Sequence, residues 1–466
     1  MKAIAFWFAT VCAAAPLMVK SPDGRVQVSV ALNSRSVPYY AVSFGGTPVI
    51  LDSTVGLSIA GAQPWGDAWA WLRSATRKLD QTYVLAGSPV RAHCQEASVE
   101  LQEAGPPHRR LNLVFRAYAE GVAFRYEIPE QEALSRFEIA AENTHFQFSG
   151  AHRVTLPRGL RRLSDDRQSR FADATIAHLV PDTEVDGIPA VIEMDEGPWL
   201  ALLEARVQDY PGMLLTRVPY PLNRLRTLLT PLPNGSHYPE EPDLREYYFP
   251  PQPNNPKARV RTPFHSPWRV VLLGANRGEL ARNLVLVFHL NDPCALSDTS
   301  WIPPVRSMES VAVRVGGSGG AGMAASVDFA AAHKLNFAVL TGWSWADDIT
   351  MPRGIDVAEA VRYARERGVR LFLTVPWAAT ARQMPDAFPL FQQWGIAGVR
   401  ILSNGLADQP SVDFIRDAVA LAARHRLLVE LVGLPLNDGL SRTYPNLISP
   451  GPMLGPPSTA YFLSEW

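Results

Sequence analysis

The sequence predicts a multidomain β plus α/β chain: an N-terminal β-sandwich followed by a parallel sheet of βα units, most economically a (β/α)8-type barrel. Three observations predict it. Short runs that alternate apolar and polar residues, separated by Gly, Pro, Asp or Asn, fill the chain up to about residue 290, as in a sandwich with one wet face. Beyond about residue 320 the apolar period becomes helical, and compact apolar runs lie between the helices at intervals of about thirty residues. Between the two regimes stands 291–304, NDPCALSDTSWIPP, followed by the glycine-rich stretch 316–322. Two architectures meet at this segment.

In order, RVQVSVAL (25–32) places Val26, Val28 and Val30 on one face, the period of a strand. Further strands are expected at 40–44, 98–101, 111–118, 122–128, 137–140, 191–194 and 199–205. A Pro-rich excursion at 219–256 reads as surface loops, and SPWRVVLL (266–273) supplies a late strand. In the second half, Val357, Ala360, Val361 and Ala364 form one helical face within 356–367. Val412, Ile415, Val419 and Ala422 do the same within 411–425. The runs 337–340, 370–374, 399–402 and 427–432 read as strands buried on both faces, with further candidates at 311–315 and near Leu447. That makes about six strands where barrel closure needs about eight, so the barrel is expected to be incomplete.

The bulk properties exclude some partners. At 466 residues, 47% hydrophobic and 19% charged, the chain can bury two cores. Lys plus Arg at 44 against Asp plus Glu at 45 leaves no broad field for nucleic acid or an anionic membrane. Residues 1–15 combine Lys2, an apolar run and Ala13 to Ala15, the pattern of a short secretory signal, and no other run reaches a membrane-spanning length. With Cys12 in that signal, Cys94 and Cys294 allow at most one disulfide. The expected division is therefore 1–15 signal peptide, 20–288 sandwich, 289–322 junction and linker, and 323–466 partial barrel.

The string 291–304 resembles the junction between the N-terminal β-super-sandwich and the catalytic barrel of glycoside hydrolase family 97. SPDGRVQVSVAL (21–32), EGVAFRYEIP (120–129) and LLEARVQDYPG (202–212) resemble its N-terminal domain in order and spacing. VDFAAAHKLNFAVL, GIDVAEAVRYARERGV, RQMPDAFPLFQQWGIAGVR and GLSRTYPN extend the likeness into its barrel. The resemblance implies a galactose-mutarotase-like sandwich, secretion or export to the periplasm, and α-linked glucosides or galactosides as ligands. Family members continue beyond the point where this sequence stops, so the chain reads as truncated relative to them.

Glycoside hydrolysis uses two carboxylic groups, which a barrel presents at the C-terminal ends of its strands. Where the family carries an acid before Gly-Trp, this sequence has Thr341; where it carries a histidine, Pro376; where retaining members carry the nucleophilic aspartate, Leu402. In 449–466, where inverting members place glutamates, stand Pro450, Gly451, Pro452 and Pro457, with Glu465 the only acid. The remaining acid candidates are Asp347 and Asp348, beside the first of these strands, and Glu430, the best placed single acid of the half. An acid pair in a loop is more often a solvated turn, and an acid within a strand more often the partner of an arginine. Trp343, Trp345 and Trp377 are candidate sugar platforms. Glu204 matches a family position that sends a carboxylate to a barrel calcium, but calcium wants six to eight converging oxygens and Glu204 has no evident companions.

Three functions remain open: an active α-glycosidase using Asp347, Asp348 or Glu430, a catalytically dead relative that still holds carbohydrate, and a gene fragment without activity of its own. The missing strand-tip acids favour the second.

Overall fold

The computed structural model describes residues 16–61, 65, 68–160, 170–181, 184–195, 197–232, 256–303, 320–340, 348–351, 356–402, 407–432 and 438–448. The expected signal peptide, the strand candidate at 311–315 and most of the Pro-rich excursion lie outside them.

The alternating runs of the first half become antiparallel strands. Val26–Leu32 buries Val26, Val28 and Val30 completely and pairs with Pro38–Phe44. These strands belong to a seven-stranded sheet that also takes in His145–Gln147, Arg224–Leu229 and Met213–Arg217. A ten-stranded sheet runs from Phe171–Thr175 through Trp199–Ala205, Trp268–Gly274 and Gly121–Ile128 to the hairpin Trp69–Leu85 and Ser88–Glu103. A three-stranded sheet, Ala258–Arg261, Arg136–Glu142 and Leu57–Ile59, completes the sandwich. One apolar core, including Tyr40, Phe115 and Phe124, joins residues of all three sheets. Offset aromatic packing there, with Phe115 and Phe124 centroids 5.3 Å apart, adds to the burial of area.

The hairpin extends well beyond the expected strand at 98–101. Its first strand is mostly exposed, so its side chains carry no core-facing period to read. Pairing alone defines it, closed by the two-residue turn Ala86-Gly87 with φ of 49° and 84°, the left-handed pair a tight hairpin requires. Cys94 and Cys294 are both free, the first buried and the second exposed.

The second half contains a four-stranded parallel sheet, Phe337–Leu340, Arg370–Pro376, Gly398–Leu402 and Leu428–Val432 in that order. Helices Gly320–Ala332, Val357–Glu366, Trp377–Trp394 and Gln409–Arg424 contribute to its core. Asp356 and Asp408 cap two of them by accepting from the backbone N–H three residues on. The sequence pattern missed helix Trp377–Trp394 because Pro385 and Pro389 lie inside it; burial of Ala387, Phe388 and Phe391 outweighs the lost hydrogen bonds. A helix begins at Gly320, within the last part of the expected linker. The strand expected near Leu447 is a single parallel bridge to Val429.

The halves meet at the junction. Asn291 Nδ2 donates to the backbone oxygens of Asp438, at 2.5 Å, and Val287, at 3.0 Å. Arg442 Nη1 donates to the carbonyls of Phe288 and His289, and Thr443 Oγ1 to that of Asp292. Asp438 also accepts from Val207 N–H, while Gly212 N–H donates to Ala407 O. Gly439, between these anchors, has φ of 83°, and a Cβ there would lie 2.6 Å from Asn291 Nδ2 and 2.8 Å from Val287 O. Gly439→Ala is therefore expected to cost about 1–3 kcal/mol, read as a lower urea midpoint. An unchanged midpoint would show that the junction yields at no cost.

Candidate functional site

The face of the parallel sheet opposite its helices is built in rows, because residues directly in register point the same way. Phe372, Gly398 and Leu428 form one row, with the Phe372 ring occupying the space a side chain at residue 398 would need. Toward the C-terminal ends of the strands comes Thr374, Arg400, Glu430. The next row, at the tips, is Pro376, Leu402, Val432. Reactive groups of a barrel belong at these tips, and the described ones are apolar.

Glu430, the one acid within the four strands, is held by both oxygens: Arg400 Nε donates to Oε2 at 2.8 Å and Nη2 to Oε1 at 3.0 Å. The side chains are 14% and 21% exposed, so the pair is only partly screened by water. Beside it Thr374 Oγ1 is buried and has no hydrogen-bond partner among the described residues. Arg400 went unnoticed in the sequence, although VRIL and VELV each set one charge at the second position of an apolar run, with opposite signs thirty residues apart.

The other candidates are dispersed. Asp348 is exposed, and its Oδ1 accepts from the Thr350 N–H and hydroxyl, closing a local turn. Trp377 opens helix Trp377–Trp394 and is half-buried, its ring set edge to face on Phe414 at 4.0 Å, so part of its surface is spent on packing between helices. Asp347, Trp343, Trp345 and the segment 449–466 lie outside the described residues.

Glu204 is engaged by protein partners. Its Oε2 accepts from Arg269 Nη1 at 2.7 Å and from the Met213 N–H at 2.9 Å. Arg269 is fully buried and grips Glu142 as well, Nε to Oε1 at 2.8 Å and Nη2 to Oε2 at 2.6 Å. Although burial opposes its charge, the two carboxylates hold the guanidinium firmly protonated. A dication would have to approach Glu204 beside that cation, and no group of three or more His, Cys, Asp or Glu suited to a metal occurs among the described residues.

The described residues thus form an antiparallel super-sandwich joined by a hydrogen-bonded junction to a parallel βα sheet. Residues 19–293 match the Glycosyl-hydrolase 97 N-terminal domain and residues 312–451 match Glycoside hydrolase 97; the chain belongs to glycoside hydrolase family 97. It is similar to a retaining alpha-galactosidase of Bacteroides thetaiotaomicron, 23% identical over 92% of this chain and 66% of that protein's length. Among solved structures it resembles a family 97 enzyme of Pseudoalteromonas sp. strain K8 in complex with acarbose, with TM-score 0.76 and 22% identity over 93% of this chain and 69% of that one. A beta-arabinopyranosidase superposes with TM-score 0.72 and 20% identity over the same shares.

Two outcomes are expected. Arg400→Leu, which strands a half-buried carboxylate, should cost about 1–3 kcal/mol in urea unfolding, and adding Glu430→Leu should restore most of it. Equal losses in the single and double variants would show that the pair does not couple. Arg269→Leu, which removes the guanidinium from two buried carboxylates, should cost about 3–5 kcal/mol by the same measure.

Proposed function

We propose that this chain binds α-linked glucosides or galactosides with hydrolysis impaired or absent, outside the cytoplasm. One observation carries the proposal: the tip row Pro376, Leu402, Val432 holds no acid, and the single carboxylate beneath it, Glu430, has both oxygens committed to Arg400. A glycosidase needs one acid to protonate the leaving oxygen and a second, about 5–10 Å away, to attack or to activate water. An engaged carboxylate behind an apolar row supplies neither. The name of the galactosidase relative and the acarbose bound to the solved one support an α-glycoside as ligand. The apolar run and small residues of 1–15 support export. Glu204 is proposed as the counter-ion of Arg269.

The test is hydrolysis of p-nitrophenyl α-galactoside and α-glucoside at high protein concentration, with and without calcium, beside sugar-dependent quenching of tryptophan fluorescence. No nitrophenol release with saturable quenching is expected. Release above background would overturn the loss of activity and return Asp347 and Asp348 to consideration. Absence of quenching by any α-glycoside would overturn the binding function.

A further inference from the structure

A cleft of about 780 Å3 opens where the three-stranded sheet of the sandwich meets helix Gln409–Arg424. Its floor is the polar face of two paired strands, Arg136–Glu142 and Ala258–Arg261, whose other face sinks Phe137, Ile139, Ala258 and Val260 into the sandwich core. Across this floor Glu138 lies opposite Arg259 and pairs with it at 3.0 Å. Two residues along, Arg136 lies directly opposite Arg261. Like charges in register on neighbouring strands repel, and a sheet that carries them loses stability. Neither guanidinium has an ion pair or side-chain hydrogen bond among the described residues, and both side chains are exposed in the cleft.

Of the other basic groups there, Arg206 pairs with Asp292 at 3.0 Å, and His265, whose pKa burial holds below its ordinary value, lies 3.5 Å from Glu127. Asp209 is the one further acid of the lining. The walls are also fixed in place. Arg206 and Asp209 hold left-handed backbone, with φ of 53° and 51°, a strain that persists only where the surroundings enforce it. The barrel side holds both: Arg206 N–H donates to the Asp438 carbonyl, and Gln409 donates through Nε2 to the carbonyls of Asp209 and Arg259 and accepts from the Arg259 N–H. A rigid cleft of ligand size therefore presents two adjacent, uncompensated planar forks, which match the two oxygens of an oxyanion.

We propose that this cleft binds a saccharide bearing a carboxylate or sulfate group, with Arg136 and Arg261 holding the anion from adjacent strands. The anionic requirement stands on the cleft itself; that the ligand is a sugar rests on the carbohydrate function proposed above. The ligand resolves the repulsion that the two arginines otherwise impose on the sheet.

Calorimetric titration of the full chain with trigalacturonate, a sulfated trisaccharide, inorganic sulfate and neutral maltotriose tests this, in wild type and in R136Q/R261Q. At least one acidic trisaccharide should bind wild type at low salt, weaken as salt rises, and bind the double variant about tenfold or more weakly. Which of the two binds distinguishes carboxylate from sulfate. Maltotriose binding that survives in the variant would localise the loss to this cleft and support the proposal. The variant should also melt at or above the wild-type temperature without ligand, because a repulsive pair is gone, so a lost signal is not a folding failure. Equal affinity in wild type and variant, or no binding of either acidic trisaccharide while maltotriose binds, would overturn this inference and leave the carbohydrate function intact. Inorganic sulfate matching the trisaccharides in affinity would overturn the saccharide assignment.

Discussion

The contact on which the arrangement depends is the clamp between Asn291, at the end of the sandwich, and the loop 438–443 of the barrel half. It consists largely of backbone groups satisfied across the boundary: Asn291 on the Asp438 carbonyl, Arg442 on the carbonyls of Phe288 and His289, Thr443 on that of Asp292. A buried carbonyl left unpaired costs more than its bond returns when made, so such a boundary resists sliding. The hairpin Trp69–Leu85 and Ser88–Glu103 braces the same place, with Tyr83 Oη 2.8 Å from His289 Nδ1 and the Arg442 guanidinium 3.8 Å over the Tyr83 ring. Burial pushes the Tyr83 hydroxyl up to about 12, which keeps it a hydrogen-bonding phenol at any ordinary pH.

That fixed frame makes the chemistry of the sheet face consequential. The parallel sheet is present, yet in the described rows polar chemistry stops one row, two residues, short of the strand tips, and there an arginine engages the only carboxylate of those rows. The buried charges of the sandwich follow the same logic. Arg269 pairs with both Glu142 and Glu204, and Tyr210 and Thr144 donate to Glu142, so that buried charges costly to desolvate are met by hydrogen bonds. Arg136 and Arg261, opposite one another with no ion pair among the described residues, stand open to solvent.

Legibility in the sequence followed the hydrophobic period. Strands and helices with one face in a core, such as Val26–Leu32 or Val357–Glu366, were recovered within a residue or two, because burial selects the side chains that make the pattern. The solvent-exposed strand Trp69–Leu85 has no such face, and helix Trp377–Trp394 carries two prolines that break the local pattern while its core contacts hold it together. The glutamate at position 430 was visible, but its arginine was not, since the two lie thirty residues apart and only strand pairing brings them into register. Glu204 was singled out by its position, but its partner Arg269, sixty-five residues away, was not visible in the sequence.

The amino-acid order by itself determined the two architectures, their boundary near residue 291, the family likeness and the leucine and proline at the strand ends. Each of these is written in local period or in the identity of single residues. The tertiary structure alone decided which charges meet: Arg400 with Glu430, Arg269 with Glu142 and Glu204, and Arg136 opposite Arg261 with no acid between. Electrostatic energy depends on distances of a few ångströms between side chains far apart in the chain, and no pattern within one segment records those distances.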